Sequence, residues 1–134
     1  MKLNKTSGVS LIEVMGSAFI LIIALGALLA VFLQSMTAAK RAECTYNAYA
    51  IARNQVERLK ALDFGSLAAA AETGTAVNQL GDSDPNGDYA RSTTIAPGYS
   101  GYANLTQVTV SVYYTFQGVQ RPSPVEITTV IYDG

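Results

Sequence analysis

The residue with the clearest chemical meaning is a carboxylate, Glu13, at the beginning of a long apolar stretch. No Asp, Glu, Lys or Arg occurs from Val14 to Ala39, and almost every side chain from Val14 to Leu33 is apolar. A charged side chain at the centre of a bilayer costs about 2.5–3.5 kcal/mol, so an intramembrane charge implies a compensating partner. The alternative is that Glu13 lies at the membrane interface, where it complements the positive end of a helix dipole.

A second candidate site is an acidic loop. Its oxygen-bearing side chains alternate along the chain and are followed by a glycine, which is the pattern at the start of an EF-hand calcium loop. The twelfth position of such a loop is Thr93, where a calcium loop has a glutamate. The same stretch contains Asp-Pro-Asn-Gly, which is a strong turn sequence, and we favour the turn over calcium binding. The candidate calcium ligands are Asp82, Asp84, Asn86 and Asp88.

Catalytic chemistry has little support in this sequence. The chain has no histidine, which removes the commonest general base and the commonest metal ligand. Its single cysteine, Cys44, cannot form an intrachain disulfide, and without an activating neighbour it is expected to be a small packing residue. No nucleophile–base pair and no closed metal set is visible. We therefore expect a protein that is not an enzyme, with calcium as its one candidate cofactor.

The 134-residue chain divides into a hydrophobic N-terminal part and a polar remainder. About 20 apolar residues span a hydrocarbon core of about 30 Å, so residues 9–33 are predicted to be a transmembrane helix. Lys2 and Lys5 predict a cytoplasmic N-terminus for this single span, because positive charge resists translocation. The net charge is −1, and only two basic residues follow Lys60. No nucleic-acid partner is therefore expected.

The predicted helix continues well beyond the membrane. No proline precedes Pro85, so we expect a helix from about Leu11 to about Leu62, which is a length of about 78 Å. Residues 34–63 are predicted to be an amphipathic extension of the span, and Gly65 is predicted to cap it in a left-handed conformation. The predicted apolar face of the extension consists of Ala48, Ala52, Val56, Leu59 and Leu62.

Residues 64–134 are predicted to form a small globular β-domain. A loop with one short helix is expected from Ser66 to Leu80, and a turn is expected at Gln117-Gly118. Apolar and polar residues alternate in the segments that follow the loop. An antiparallel sheet of about three strands would bury one face against the amphipathic helix, which gives an α+β fold. The predicted strands are Tyr89–Ile95, Leu105–Phe116 and Val125–Tyr132.

The hydrophilic segment at the N-terminus ends at a glycine, and apolar residues and a glutamate follow it, in the order Gly8-Val9-Ser10-Leu11-Ile12-Glu13-Val14-Met15. This order and spacing resemble the N-terminal signature of type IV pilins and of type II secretion pseudopilins. The resemblance covers residues 1–60 closely and the rest of the chain in outline.

The resemblance implies that residues 1–8 are a leader, which a prepilin peptidase removes by cleavage between Gly8 and Val9. The new amine of Val9 would then be N-methylated. Glu13 would pair with that amine on a neighbouring subunit during assembly, and the pair would set the axial stagger between subunits, as buried polar residues set register in coiled coils. Residues 9–33 would anchor the chain before assembly and form the filament core afterwards.

This resemblance implies a structural subunit of a type IV pilus-like filament, held in the bacterial inner membrane before it enters a periplasmic or extracellular filament. Its partners would be other pilin subunits, prepilin peptidase, the inner-membrane assembly machinery and the lipid bilayer. The lack of paired C-terminal cysteines and of a proline in the span is similar to minor pilins and minor pseudopilins. Two alternatives stay open: a plain single-span anchor, and a recognition or adhesion module at a filament tip. The tip module would use a tyrosine surface formed by Tyr89, Tyr99, Tyr102, Tyr113 and Tyr114.

Overall fold

The computed structural model describes residues 8–134, which contain one long α-helix, two short 3₁₀ helices and five β-strands. The helix α1 comprises Leu11–Lys60, and the 3₁₀ helices comprise Phe64–Ala70 and Tyr99–Gly101. The outer half of α1 packs on an antiparallel sheet, so the predicted α+β fold is confirmed. The strands are β1 (Glu72–Val77), β2 (Tyr89–Pro97), β3 (Leu105–Phe116), β4 (Val119–Gln120) and β5 (Val125–Tyr132).

The first part of α1 belongs to a compact unit that ends at Ala39, and the rest of the chain forms a second unit. In the first unit every described residue up to Met36 is exposed. A helix satisfies its backbone hydrogen bonds internally, which is what a segment in hydrocarbon requires. By its length and composition, α1 is the one helix among residues 8–134 that can cross a membrane.

The second unit is built around β3, the longest strand. β2 pairs with β3 from Tyr89 opposite Tyr114 to Pro97 opposite Thr106, and β1 pairs with the other side of β2. On its second edge β3 pairs with both β5 and β4. Gln117 and Gly118 join β3 to β4 with φ values of 53° and 75°. A two-residue hairpin turn of type I′ requires positive φ at both positions, so the predicted turn is confirmed.

The core lies between the outer half of α1 and the inward face of the sheet. Four of the five residues predicted for the apolar face of the helix are buried, and Ile51 and Gln55 are buried beside them. Leu62 lies beyond the end of α1 and is 44% exposed, so its predicted place on the buried face is wrong. β3 supplies alternate residues, as its predicted period of two requires. The fully buried residues of β3 are Val108, Val110 and Val112.

The segment from Ser66 to Leu80 differs most from prediction, because it contains a strand, β1. A register shift interrupts the pairing of β1 with β2 between Glu72 and Thr75, and Gly74 lies there with a φ of 62°. A glycine at positive φ is typical of a bulge, and it hides the strand from a search for regular alternation. Gly65 does not form the predicted left-handed cap, because it lies within the first 3₁₀ helix.

Candidate processing and assembly segment

The predicted cleavage site lies directly before α1. Gly8, Val9 and Ser10 are exposed and have no regular secondary structure. The helix begins where the carbonyl oxygen of Ser10 accepts hydrogen bonds from the N–H groups of Glu13 at 3.0 Å and Val14 at 3.2 Å. The Gly8–Val9 bond is therefore accessible without unwinding of the helix. The rest of the predicted leader, residues 1–7, lies outside the described residues.

Glu13 is the third residue of α1 and lies in its first turn. Ser10 and Glu13 have the spacing of a capping box, in which a serine precedes the helix and a glutamate occupies its third position. The ion pairs found among residues 8–134 involve other side chains, and the neighbours Ile12 and Val14 are exposed apolar residues. The carboxylate can thus complement the helix dipole, and it can also accept a cation from another chain.

The four candidate calcium ligands form a turn in which they do not converge. The carboxylate of Asp82 lies 3.5 Å from the guanidinium of Arg58. The carboxylate of Asp84 accepts the N–H of Asn86 at 2.9 Å, and its carbonyl oxygen accepts the N–H of Gly87 at 2.9 Å. The described part of the chain has no group of three acidic, cysteine or histidine side chains placed to hold a metal. The geometry therefore matches the turn that Asp-Pro-Asn-Gly favours.

This turn depends on a close backbone approach at Gly87. A Cβ atom on Gly87 would overlap the carbonyl carbon and oxygen of Val77, and Val77 is a fully buried residue of β1. Because the obstacle is backbone, a small rotation of a side chain cannot relieve the overlap. The glycine is therefore required for the loop to lie against the strand.

We expect Gly87→Ala to lower the free energy of unfolding by about 1–3 kcal/mol or more, since the turn or β1 must move to admit the methyl group. The measurement is urea unfolding of the full chain in detergent micelles, followed by the near-ultraviolet circular dichroism of its tyrosines. Gly65→Ala is the matched control, because a Cβ there meets nothing within 4 Å. Equal stability of the two variants would contradict a steric role for Gly87.

The proposed tyrosine surface is divided between the core and the exterior. Tyr89 and Tyr114 are buried, and their hydroxyl groups form hydrogen bonds with α1. The hydroxyl of Tyr114 lies 3.0 Å from that of Thr45, and the amide of Asn47 donates to Tyr89 at 3.3 Å. Burial raises the pKa of Tyr89 above its usual range. The five tyrosines therefore do not form one recognition surface, and the exposed members are Tyr99 and Tyr102.

A polar cluster that was not predicted from the sequence lies in the interior of the second unit. Glu72 of β1 forms an ion pair with Arg91 of β2, and it accepts hydrogen bonds from Thr93 at 3.1 Å and from Gln55 of α1 at 3.3 Å. Arg91 also donates to the carbonyl oxygen of Gly81 at 2.8 Å. The cluster therefore joins two strands, the helix and the loop after β1. One feature of the sequence could have indicated this cluster. Arg91 and Thr93 occupy alternate positions of a predicted strand, on the side that faces inward.

The charge state of this cluster follows from its contacts. Burial by itself would raise the pKa of Glu72, but hydrogen bonds from Arg91, its positive charge, and hydrogen bonds from Thr93 and Thr75 together hold that pKa below its ordinary value. No fully buried side-chain nitrogen or oxygen among residues 8–134 lacks a hydrogen-bond partner. Such complete pairing is what makes a buried polar cluster tolerable, so we interpret this one as structural.

The predicted processing and assembly residues, Gly8, Val9 and Glu13, thus lie together at the start of α1, whereas the calcium candidates lie in a turn of the second unit. The first group is next to the apolar surface of α1, and the second is next to β1. Comparison with protein-family models, with curated proteins and with solved structures finds no match for this chain.

Proposed function

We propose that this chain is a structural subunit of a type IV pilus-like filament, cleaved by a prepilin peptidase between Gly8 and Val9. The observation that carries the proposal is the exposed apolar surface of α1 with one carboxylate, Glu13, in its first turn. Large exposed apolar surfaces mark sites that another molecule or a membrane covers. A carboxylate that pairs with a neighbouring subunit would fix the position of this surface along the filament axis. Contact with lipid alone would not require such a fixed position.

The molecules that contact this apolar surface differ before and after assembly. Before assembly the bilayer covers the apolar side chains, since α1 is long and apolar enough to cross it. After assembly the same side chains pack against the corresponding helices of neighbouring subunits. The cationic amine of Val9 on one subunit then meets the carboxylate of Glu13 on the next. Each group loses water in the filament core, and each supplies the charge that the other needs.

The second unit, which contains the sheet, would form the outer surface of the filament. Its core is formed by one face of α1 and the inward residues of the sheet. The lack of paired cysteines and of a proline in the span favours a minor pilin or minor pseudopilin. We place the chain first in the bacterial inner membrane, with its N-terminus in the cytoplasm, and then in the filament.

Two other functions make different predictions. A plain single-span anchor needs no cleavage between Gly8 and Val9, and it needs no partner for Glu13. A recognition module at a filament tip would use the exposed loop that carries Tyr99 and Tyr102. We rank the tip module below the filament subunit because two of the five tyrosines of its proposed surface, Tyr89 and Tyr114, are buried in the core.

We expect the mature protein to begin at Val9 and to carry the mass of one added methyl group. The measurement is mass spectrometry of the chain isolated from a host with an active prepilin peptidase. Gly8→Leu should leave the chain uncut, because the peptidase requires the glycine, while Gly16→Leu is the matched control and should be cut normally. Both glycines have open space around them, so neither change disturbs the packing of the chain. An intact Met1 terminus in the unchanged protein would exclude the pilin-like function.

A further inference from the structure

The strand β5 forms a long open edge of the sheet. All eight of its residues pair in unbroken register with β3, from Val125 opposite Val112 to Tyr132 opposite Leu105. No other described strand pairs with it. One side of β5 therefore presents backbone groups that the rest of residues 8–134 does not use.

The backbone groups that face this open side can be assigned. The N–H of Asp133 donates to the carbonyl oxygen of Asn104 at 3.0 Å, one step beyond the last pair of the ladder. In an antiparallel pair the residues alternate between positions that bond to the neighbouring strand and positions that point away from it. Counting back from Asp133 by this alternation, the odd-numbered residues bond to β3. The outward groups belong to Glu126, Thr128, Val130 and Tyr132.

The opposite edge of the sheet is closed. β1 is interrupted by the register shift at Gly74. The loop that follows β1 then folds back onto its outer side, where the N–H of Asp84 donates to Ala76 at 3.0 Å and the N–H of Asn78 donates to Asp82 at 2.9 Å. A bulge and a covering loop are two devices by which proteins prevent unwanted strand pairing. The same chain therefore protects one edge and leaves the other unprotected.

β5 lacks most of the usual protective features, and its one charged side chain is Glu126. It contains no proline, no lysine or arginine, and no bulge, each of which blocks edge-to-edge pairing in natural sheets. Its inward side chains Val125, Ile127 and Ile131 are only partly buried, although they pack against the core. A strand placed beside β5 would cover these side chains and would satisfy the eight free backbone groups of the four outward residues.

We infer that β5 binds an extended segment of another polypeptide, which adds to the sheet as a further strand. Only a polypeptide backbone supplies alternating donors and acceptors at the spacing that an open edge requires. The segment should alternate, with apolar residues towards Ile127 and Ile131 and polar residues on the outer face. Glu126 is exposed and is the one charged residue of β5, so a lysine or arginine is expected opposite it. This interaction does not depend on the proposed filament function.

The test uses the full chain in its native membrane, with a photoreactive phenylalanine derivative in place of Tyr132, which is 65% exposed. Illumination should join it to one extended segment of a partner protein, identified by mass spectrometry. Thr128→Pro removes an outward N–H without removing a bond to β3, and edge strands tolerate proline at such positions. We expect this change to lower the cross-link yield at least tenfold. Thr128→Ala, which loses the same side-chain hydrogen bond to Thr109, should leave the yield unchanged.

A second pair of variants keeps the test informative if the Thr128→Pro chain does not fold. Glu126→Arg should lower the cross-link yield by charge repulsion, whereas Glu126→Gln should lower it less, and neither changes the backbone. Several outcomes would overturn the inference: equal yields for Thr128→Pro and Thr128→Ala, attachment to lipid or to helical residues, and the absence of any polypeptide product. Attachment to β5 of a second copy would replace the partner with self-pairing and would also overturn it.

Discussion

Replacing Glu13 with leucine is expected to exclude the chain from filaments while leaving it cleaved and bound to the membrane. In the proposed filament, the change would leave the amine of Val9 on a neighbouring subunit buried without its carboxylate. Loss of one member of a buried ion pair costs about 3–5 kcal/mol. Since each 1.4 kcal/mol is a factor of ten, incorporation should decrease by about two to three and a half orders of magnitude. The measurement is the ratio of the chain in sheared filaments to the chain in the membrane.

The plain-anchor alternative predicts the opposite result. In an anchor, Glu13→Leu removes a charge from the edge of the span, so insertion should be unchanged or slightly improved. Glu13→Gln separates charge from size, because the amide is nearly isosteric with the carboxylate but cannot neutralise an ammonium group. Glu43→Gln is the matched control, since Glu43 is an exposed carboxylate on the same helix. Incorporation of cleaved Glu13→Leu protein at the level of the unchanged chain would remove the assembly role of this residue.

Replacing Glu72 with glutamine is expected to destabilise the second unit by about 3 kcal/mol. The change leaves the guanidinium of Arg91 without its counter-ion, and the Arg91 side chain is only 9% exposed. Breaking a buried pair from one side costs about 3–5 kcal/mol, and we expect the lower figure because the Glu72 side chain is 21% exposed. The measurement is the free energy of unfolding of the full chain in detergent micelles, obtained by urea titration.

The same cluster predicts how stability depends on pH. Because the pKa of Glu72 in the folded chain lies below its ordinary value of 4.5, the unfolded chain binds a proton more readily than the folded chain. The stabilisation is therefore complete above about pH 4.5 and is lost as the pH falls through the lowered pKa. Glu72→Gln should abolish this acid-dependent part of the unfolding free energy.

An exposed ion pair provides the control for this second prediction. Glu57 and Lys60 lie 3.1 Å apart on α1, with 61% and 45% of their side chains exposed. Exposed pairs contribute about 0–1 kcal/mol, so Glu57→Gln should change stability little and should retain the acid transition. If Glu72→Gln were as stable as Glu57→Gln, the buried cluster would have no stabilising role.

Elements with a regular local pattern were predictable from the sequence. β3 and β5 begin and end where the alternation of apolar and polar residues predicts, and the Gln117-Gly118 turn between β3 and β4 follows from residue type. The amphipathic half of α1 was predictable for the same reason, since residues three and four apart share a helix face. The processing residues Gly8 and Val9 and the assembly residue Glu13 are likewise defined by local spacing, and their roles stay predictions.

Features that depend on distant pairing were decided by the tertiary structure. β1 has a bulge at Gly74 and little alternation of its own, so it is recognisable only through its pairing with β2. Tyr89 and Tyr99 are the same residue type, but Tyr89 is buried in the core, whereas Tyr99 lies in the second 3₁₀ helix and is exposed. The carboxylates of the acidic loop were grouped by sequence spacing, but Asp82 turns towards Arg58 on the helix.

The Glu72–Arg91 pair shows the physical reason for this division. Nineteen positions separate its members, and nothing in either neighbourhood indicates the other. They meet because β1 pairs with β2 on both sides of the bulge at Gly74, which places Glu72 opposite Thr93 and within reach of the inward side chain of Arg91. Local propensity acts over a few residues, whereas burial is a property of the assembled layers. The sequence alone therefore determined the segments with a regular pattern, α1, β2, β3 and β5. Only the packing of the layers decided that β1 is a strand, which charges pair, which tyrosines are buried and which edge of the sheet stays open.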